Sequence, residues 1–300
     1  MRKSVCVVSL FSLLWIVLAS PIAAQANRPP KLSKSSVRVS EKQTKNIQAE
    51  LKSLTAHEWA GEYYYGDGLG VNVSLVLAPA AGFVFRWDGC LGLYDLNYGR
   101  VTERNGIITL QFTYPNEREG FQGIATELVP VRWGERHYLV PSDGIVKFAN
   151  AVNAGTEPND FMGGRSFYFL LKRGDEGKAV HGTPPIPQEY SPYLLKSPIH
   201  ATISAIDETH REATARVTKV MLDSGRAQGL LKGMELYVHE SGKVETATIM
   251  QVGDHSSQAV IYQYDGTAIA PAPGWKLSTK LMDGEPVGSV PGSAPADPER

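Results

Sequence analysis

From His57 to Phe112 apolar and polar residues alternate in short runs separated by tight-turn signals, the period-2 pattern of half-buried strands. The pattern predicts strands at Glu62–Tyr65, Val71–Leu77, Phe83–Trp87, Tyr98–Glu103 and Ile107–Phe112. The last two read as a hairpin around Asn105-Gly106, because Asn-Gly accepts the positive φ of a tight type I′ turn. Ile124–Arg132 and Arg136–Val140 form another pair around Gly134, and Ser166–Leu171 reads as a buried strand. Helical spacing occurs twice. Ser40 and Gln43 make a capping box ahead of Ile47, Leu51 and Leu54, which predicts a short amphipathic helix. Asp143–Val152 predicts one or two helical turns with Ile145, Phe148, Ala149 and Val152 inward. About eight strands with a short leading helix give a mainly β fold, an antiparallel β-barrel or sandwich over 40–173.

Prolines 184, 185, 187, 192 and 198 then crowd residues 174–198. Proline removes ladder donors, so this stretch reads as a semi-rigid linker. A second run of short strands follows over 199–281: Ala201–Ile206, Ala213–Val220, Glu235–His239, Thr246–Val252, Gln258–Tyr262 and Trp275–Thr279. Its size suits a second small β-barrel domain. Residues 282–300 are too poor in apolar side chains to fold, and residues 27–39 read as a flexible arm.

Residues 1–26 have the form of a signal peptide: basic Arg2 and Lys3, an apolar run Cys6–Ala19, Pro21, then small residues. Cleavage after Ala26 or after Ala24 fits. An uncleaved anchor is the alternative, for which the run is short. The leader directs the chain to the periplasm or beyond, with no stable membrane span after its removal. Without Arg2 and Lys3 the chain carries 28 basic and 31 acidic residues. It lacks the basic excess that tracks phosphates, so nucleic acid is not an expected partner. Cys90 is then the lone cysteine. It cannot form an internal disulfide and reads as a small buried hydrophobe in a tightly packed strand.

Chemistry-bearing motifs are sparse. The seven histidines show no zinc spacing, and His57-Glu58 does not continue into H-E-x-x-H. No G-x-S-x-G elbow occurs. Cys90 with His57 or His137 would make a thiolate pair, but no local signature accompanies it. Gly66-Asp67-Gly68-Leu69-Gly70 precedes a strand, so it reads as a hairpin loop and not as a phosphate cradle. Asp95-x-Asn97-x-Gly99 lacks the other ligands of a calcium loop and reads as a turn. No cofactor and no metal are expected. What remains is the aromatic cluster. In Tyr63-Tyr64-Tyr65 the middle ring faces opposite to its neighbours. Trp59, Tyr64, Asp67, Trp87, Asp95 and Asn97 are the candidate ligand-binding residues, rings below and carboxylates at a barrel rim. Filling of a β core by the same aromatics is the alternative.

One resemblance covers residues 199–281. Val217-x-x-Val220, Gly229-Leu230-x-x-Gly233-Met234-x-Leu236-x-Val238, Ala247-x-Ile249-x-x-Val252 and Ser257-x-Ala259-Val260 resemble the small β-barrel module of bacterial periplasmic flagellar-assembly proteins, and more distantly barrels of cell-shape scaffold proteins. The resemblance implies an assembly module without chemistry. Trp59 followed by Gly61 resembles the start of lipocalin-type barrels, but the rest of that pattern is absent and the first β domain is assigned to no family. Together these readings predict an exported bacterial envelope protein that binds or assembles, with an envelope protein or a small polar ligand as partner. The alternatives are a small-molecule or glycan carrier using the first barrel as its cup, and an acid/base hydrolase.

Overall fold

The computed structural model describes residues 33–66, 70–90, 92–113, 124–158, 169–212, 214–240, 245–264 and 268–281. The expected leader, Asp67 and residues 282–300 lie outside them. Eight antiparallel strands pair in chain order: β1 (Gly61–Gly66), β2 (Val71–Ala78), β3 (Gly82–Gly89), β4 (Gly92–Arg104), β5 (Ile107–Phe112), β6 (Glu127–Trp133), β7 (Arg136–Pro141) and β8 (Leu170–Lys172). β8 returns to pair with β1 and closes the barrel. Asn105 has φ 54° and Gly106 φ 76°, so the β4–β5 hairpin turns as Asn-Gly predicts.

Register sets what fills the lumen. Three rows run across β1 to β4: Gly61–Leu77–Phe83–Gly99, Tyr63–Leu75–Phe85–Asn97 and Tyr65–Val73–Trp87–Asp95. Because neighbours along a strand alternate in direction, these rows point inward, with Ile108, Leu110, Leu128, Leu139 and Leu170 from the other strands. Outer positions such as Glu62, Ser74, Arg86 and Arg100 are polar. A lipid-spanning barrel has the opposite arrangement. No helix among the described residues is long and apolar enough to cross a membrane.

Two helices cover the outside. α1 (Lys34–Ser53) begins earlier than the Ser40–Gln43 box predicts. Ser33 is the cap, accepting from Ser36 N at 3.1 Å, and Ser40 turns back onto Val37 O within the helix. Part of the expected flexible arm is therefore helical. Gln43 reaches Ala81 O, and Glu50 accepts from Ala80 N and Ala81 N at 2.9 and 2.6 Å. Val37, Ile47 and Leu51 press on Ala78, Val84 and Leu96, the outer face of β2–β4. α2 (Ile145–Ala154) lays Ile145 and Phe148 on Val129, Val131, Tyr138 and Val140 of β6–β7. Gly155, at φ 75°, ends it in the left-handed conformation that glycine adopts without strain.

The proline-rich stretch, read as a semi-rigid linker, is docked as a strap. Trp133 Nε1 donates to Gly182 O at 3.0 Å, Glu135 N to Ala179 O at 3.0 Å, and Arg136 to Glu176 O and Lys178 O. Ile186 and Tyr190 join the α2 layer, whereas Tyr193 and Leu195 pack on the second core. That core is a second closed barrel of β9 (His200–Glu212), β10 (Ala215–Leu222), β11 (Glu235–Val238), β12 (Glu245–Val252), β13 (Ser257–Gln263) and β14 (Lys276–Ser278), in the order β10-β13-β12-β11-β14-β9. Leu230 and Met234, set by the positive-φ glycines Gly229 and Gly233, plug it. α2 meets this barrel directly: Asn150 Nδ2 donates to Gly233 O at 2.9 Å, and Leu281 N to Ala154 O at 3.2 Å.

Candidate functional site

The six residues singled out from the sequence do not converge on one mouth. Trp87, Asp95 and Asn97 point into the first lumen in adjacent rows, Trp87 directly opposite Asp95. Asp95 and Asn97 are 1% and 0% exposed. They sit within β4, not in a turn. Short polar residues next to a glycine look like a turn in sequence, yet here the strand runs through them, and each carboxyl or amide oxygen accepts from the backbone N–H of the following residue, at 2.8 and 2.9 Å. Trp59 is also buried, but it precedes β1 and lies at the other end of the barrel, where its carbonyl accepts from Tyr63 Oη at 3.0 Å. Tyr64 faces outward. Its hydroxyl bonds Asn72 and the Arg173 guanidinium lies 4.7 Å from its ring centroid. Asp67 lies outside the described residues. Cys90, expected to be buried in a core strand, is exposed: β3 ends at Gly89 and β4 begins at Gly92, so it stands between strands.

A polar group that sequence reasoning missed closes the end of the barrel near Trp59. Asp175 Oδ2 accepts from His137 N and from His137 Nδ1, each at 2.8 Å, and Oδ1 accepts from Lys178 Nζ at 2.5 Å. Burial would raise the Asp175 pKa, but the bonds from Lys178 and His137 outweigh it and hold the carboxyl below its ordinary range. Lys172, inward on β8 beside Tyr63, is pushed the other way by burial, its ammonium pKa lowered. An acid–histidine contact is what a hydrolytic dyad would require. Here the carboxylate is already shared: the backbone amide and ring of His137 fasten it to β7, and Lys178 bonds it within the strap. The contact spans 38 residues, so no local motif could announce it.

Two clefts formed by described residues lie outside the first lumen. One, of about 450 Å3, runs between α1 and β1–β3, with Lys45, Glu62, Arg86 and Arg173 around Val76 and Val84. Its cations are largely matched: Arg86 forks onto Asp88 at 2.6 and 2.9 Å, and Arg173 lies 3.9 Å from Glu62. The other, of about 290 Å3, opens at the β9–β10 hairpin of the second barrel. No group of His, Cys, Asp and Glu among the described residues is arranged to hold a metal ion. No protein-family model, curated protein or solved structure matches the chain.

Proposed function

We propose that this is an exported protein of a bacterial envelope that works by binding and assembly, the second barrel being its assembly module. One observation carries the reading. Both barrels are filled by their own side chains, and α2 and the strap tie them together through Asn150, Asn153, Tyr193 and Leu195. Such a body offers outer surfaces for partners, and filled barrels suit a scaffold better than a cup. The test is to express the full chain with its leader in a bacterial host and to weigh the native species from the envelope fraction. A species larger than one chain, carrying no small molecule in its native mass spectrum, is expected. A single chain holding one equivalent of a small molecule would replace this reading with that of a carrier.

The carrier reading has one observation in its favour, the buried Asp95 and Asn97 beside Trp87 and Phe85 in the lumen. Under it, Asn97→Leu abolishes ligand retention while the fold persists. Under the scaffold reading it leaves assembly unchanged.

A further inference from the structure

α1 presents two unlike faces. Ser36, Ser40 and Ile47 are buried, and Val37, Ile47 and Leu51 press on the first barrel. Lys34, Arg38, Lys42, Lys45 and Lys52 are all exposed. Their spacings of four, four, three and seven residues return to one side of a helix, the side turned away from the barrel. At about 1.5 Å of rise per residue the cations form a row about 27 Å long. Glu41 is the one acid beside them. Glu50, the other acid of α1, is turned inward onto Ala80 N and Ala81 N. Among the described residues none of the five cations forms an ion pair. The chain as a whole is net −1, so this excess is local and is offset by acids elsewhere.

Lys34 with Arg38, and Arg38 with Lys42, are like charges four residues apart, which weaken a helix. A facing surface of opposite charge relieves that repulsion. We propose that the outer row of α1 docks on the anionic headgroups of a phospholipid bilayer. Four of the five cations are lysines, compact hydrated charges without the planar fork that singles out one carboxylate or phosphate. They stand on a convex ridge, and only Lys45 also lines one of the two clefts described above. A long row of such charges suits a plane of headgroups better than a partner of defined shape. Val39, 46% exposed, is the one large apolar side chain exposed on α1. A single valine anchors little, so the attachment is electrostatic and lies on the bilayer without entering it. α1 also begins soon after residues 1–26, read above as the leader, the part of a chain that meets a membrane during export. This docking face adds to the assembly reading and does not depend on it.

The experiment is cosedimentation of the chain, expressed with its leader and purified from the host envelope, with vesicles of phosphatidylcholine alone or mixed equally with phosphatidylglycerol. Sedimentation with the mixed vesicles is expected at about 0.01 M salt, and release at about 1 M, where the screening length falls from about 30 to about 3 Å. Phosphatidylcholine alone should not hold the chain. Arg38→Gln, Lys42→Gln and Lys45→Gln together should lower partition onto the mixed vesicles about a hundredfold. The unfolding midpoint of this variant should stay level or rise as like charges are removed. Lys196→Gln, Arg211→Gln and Lys276→Gln together remove the same charge from exposed positions on the strap and the second barrel, and should leave partition nearly unchanged. No sedimentation with mixed vesicles at low salt, equal binding to phosphatidylcholine, equal binding by the α1 variant, or an equal loss in the second variant overturns the proposal. Binding to soluble polyglutamate without binding to vesicles overturns it in favour of an acidic protein partner. Native mass spectrometry of the same sample reports the assembly state separately, so either reading can fail alone.

Discussion

Asp175 accepts from an amide, an imidazole and an ammonium at once, and its depressed pKa makes the clasp dependent on pH. A carboxylate depressed in the folded state stabilises above its unfolded value and loses that contribution as pH falls through the folded one. The unfolded value is about 3.9, so the loss should begin below about pH 4. Asp175→Asn should cost about 1.5–3 kcal/mol at neutral pH and flatten the acid limb, measured by urea unfolding at a series of pH values. Wild type and variant with the same acid limb would show that the clasp contributes nothing. Cys90, exposed at its turn, should react rapidly with a thiol reagent in the native state. That outcome was hidden in the sequence because glycine-flanked cysteine fits a packed strand as well as a turn.

Among the elements, the strands were legible because alternation and turn chemistry agree. Asn105-Gly106 is the clearest instance, and five of the six strands of the second unit appear close to their expected places, whereas β9 runs on from Ile206 to Glu212. β4 was read short, since Asp95 and Asn97 break the alternation while facing a closed interior. The start of α1 was misread for a related reason: Ser40 is a good cap in sequence, but Ser33 caps one helical stretch earlier. Gly99, in the same strand, has a requirement that no pattern reveals. A Cβ there would lie 1.8 Å from the carbonyl oxygen of Gln111 on β5. Gly99→Ala should therefore lower stability by about 1–3 kcal/mol through overpacking, read as a shift in the denaturant midpoint. An unchanged midpoint would mean that β4 and β5 separate at that point without loss.

At the scale of the whole molecule, the prolines of 174–198 suggested two bodies on a tether, and composition could not show that the tether has partners on both sides. Ile186 and Tyr190 pack with α2 on the first barrel, while Tyr193 and Leu195 pack on the core of the second. Tyr193 Oη donates to Lys232 O at 3.0 Å, and Asn153 holds Tyr193 O and Leu195 N at 2.8 and 3.0 Å. Gly233 stands so near α2 that a Cβ would lie 3.3 Å from Val146 Cγ1. Separating the barrels thus uncovers apolar rings and exchanges the Asn150 and Asn153 bonds for bonds to water, a net loss of about 0.5–1.5 kcal/mol for each bond. The strap should resist limited proteolysis in the native chain, since its backbone is held at Glu176, Lys178, Ala179 and Gly182. An isolated 199–281 fragment lacks Tyr193, Leu195 and the α2 surface. Its urea midpoint should fall below that of the same barrel in the intact chain, and Asn150→Ala in the full chain should move part of the way toward it. If the fragment unfolds at the intact chain's midpoint, or protease releases it cleanly from the native protein, the two barrels are independent and the strap is a tether after all.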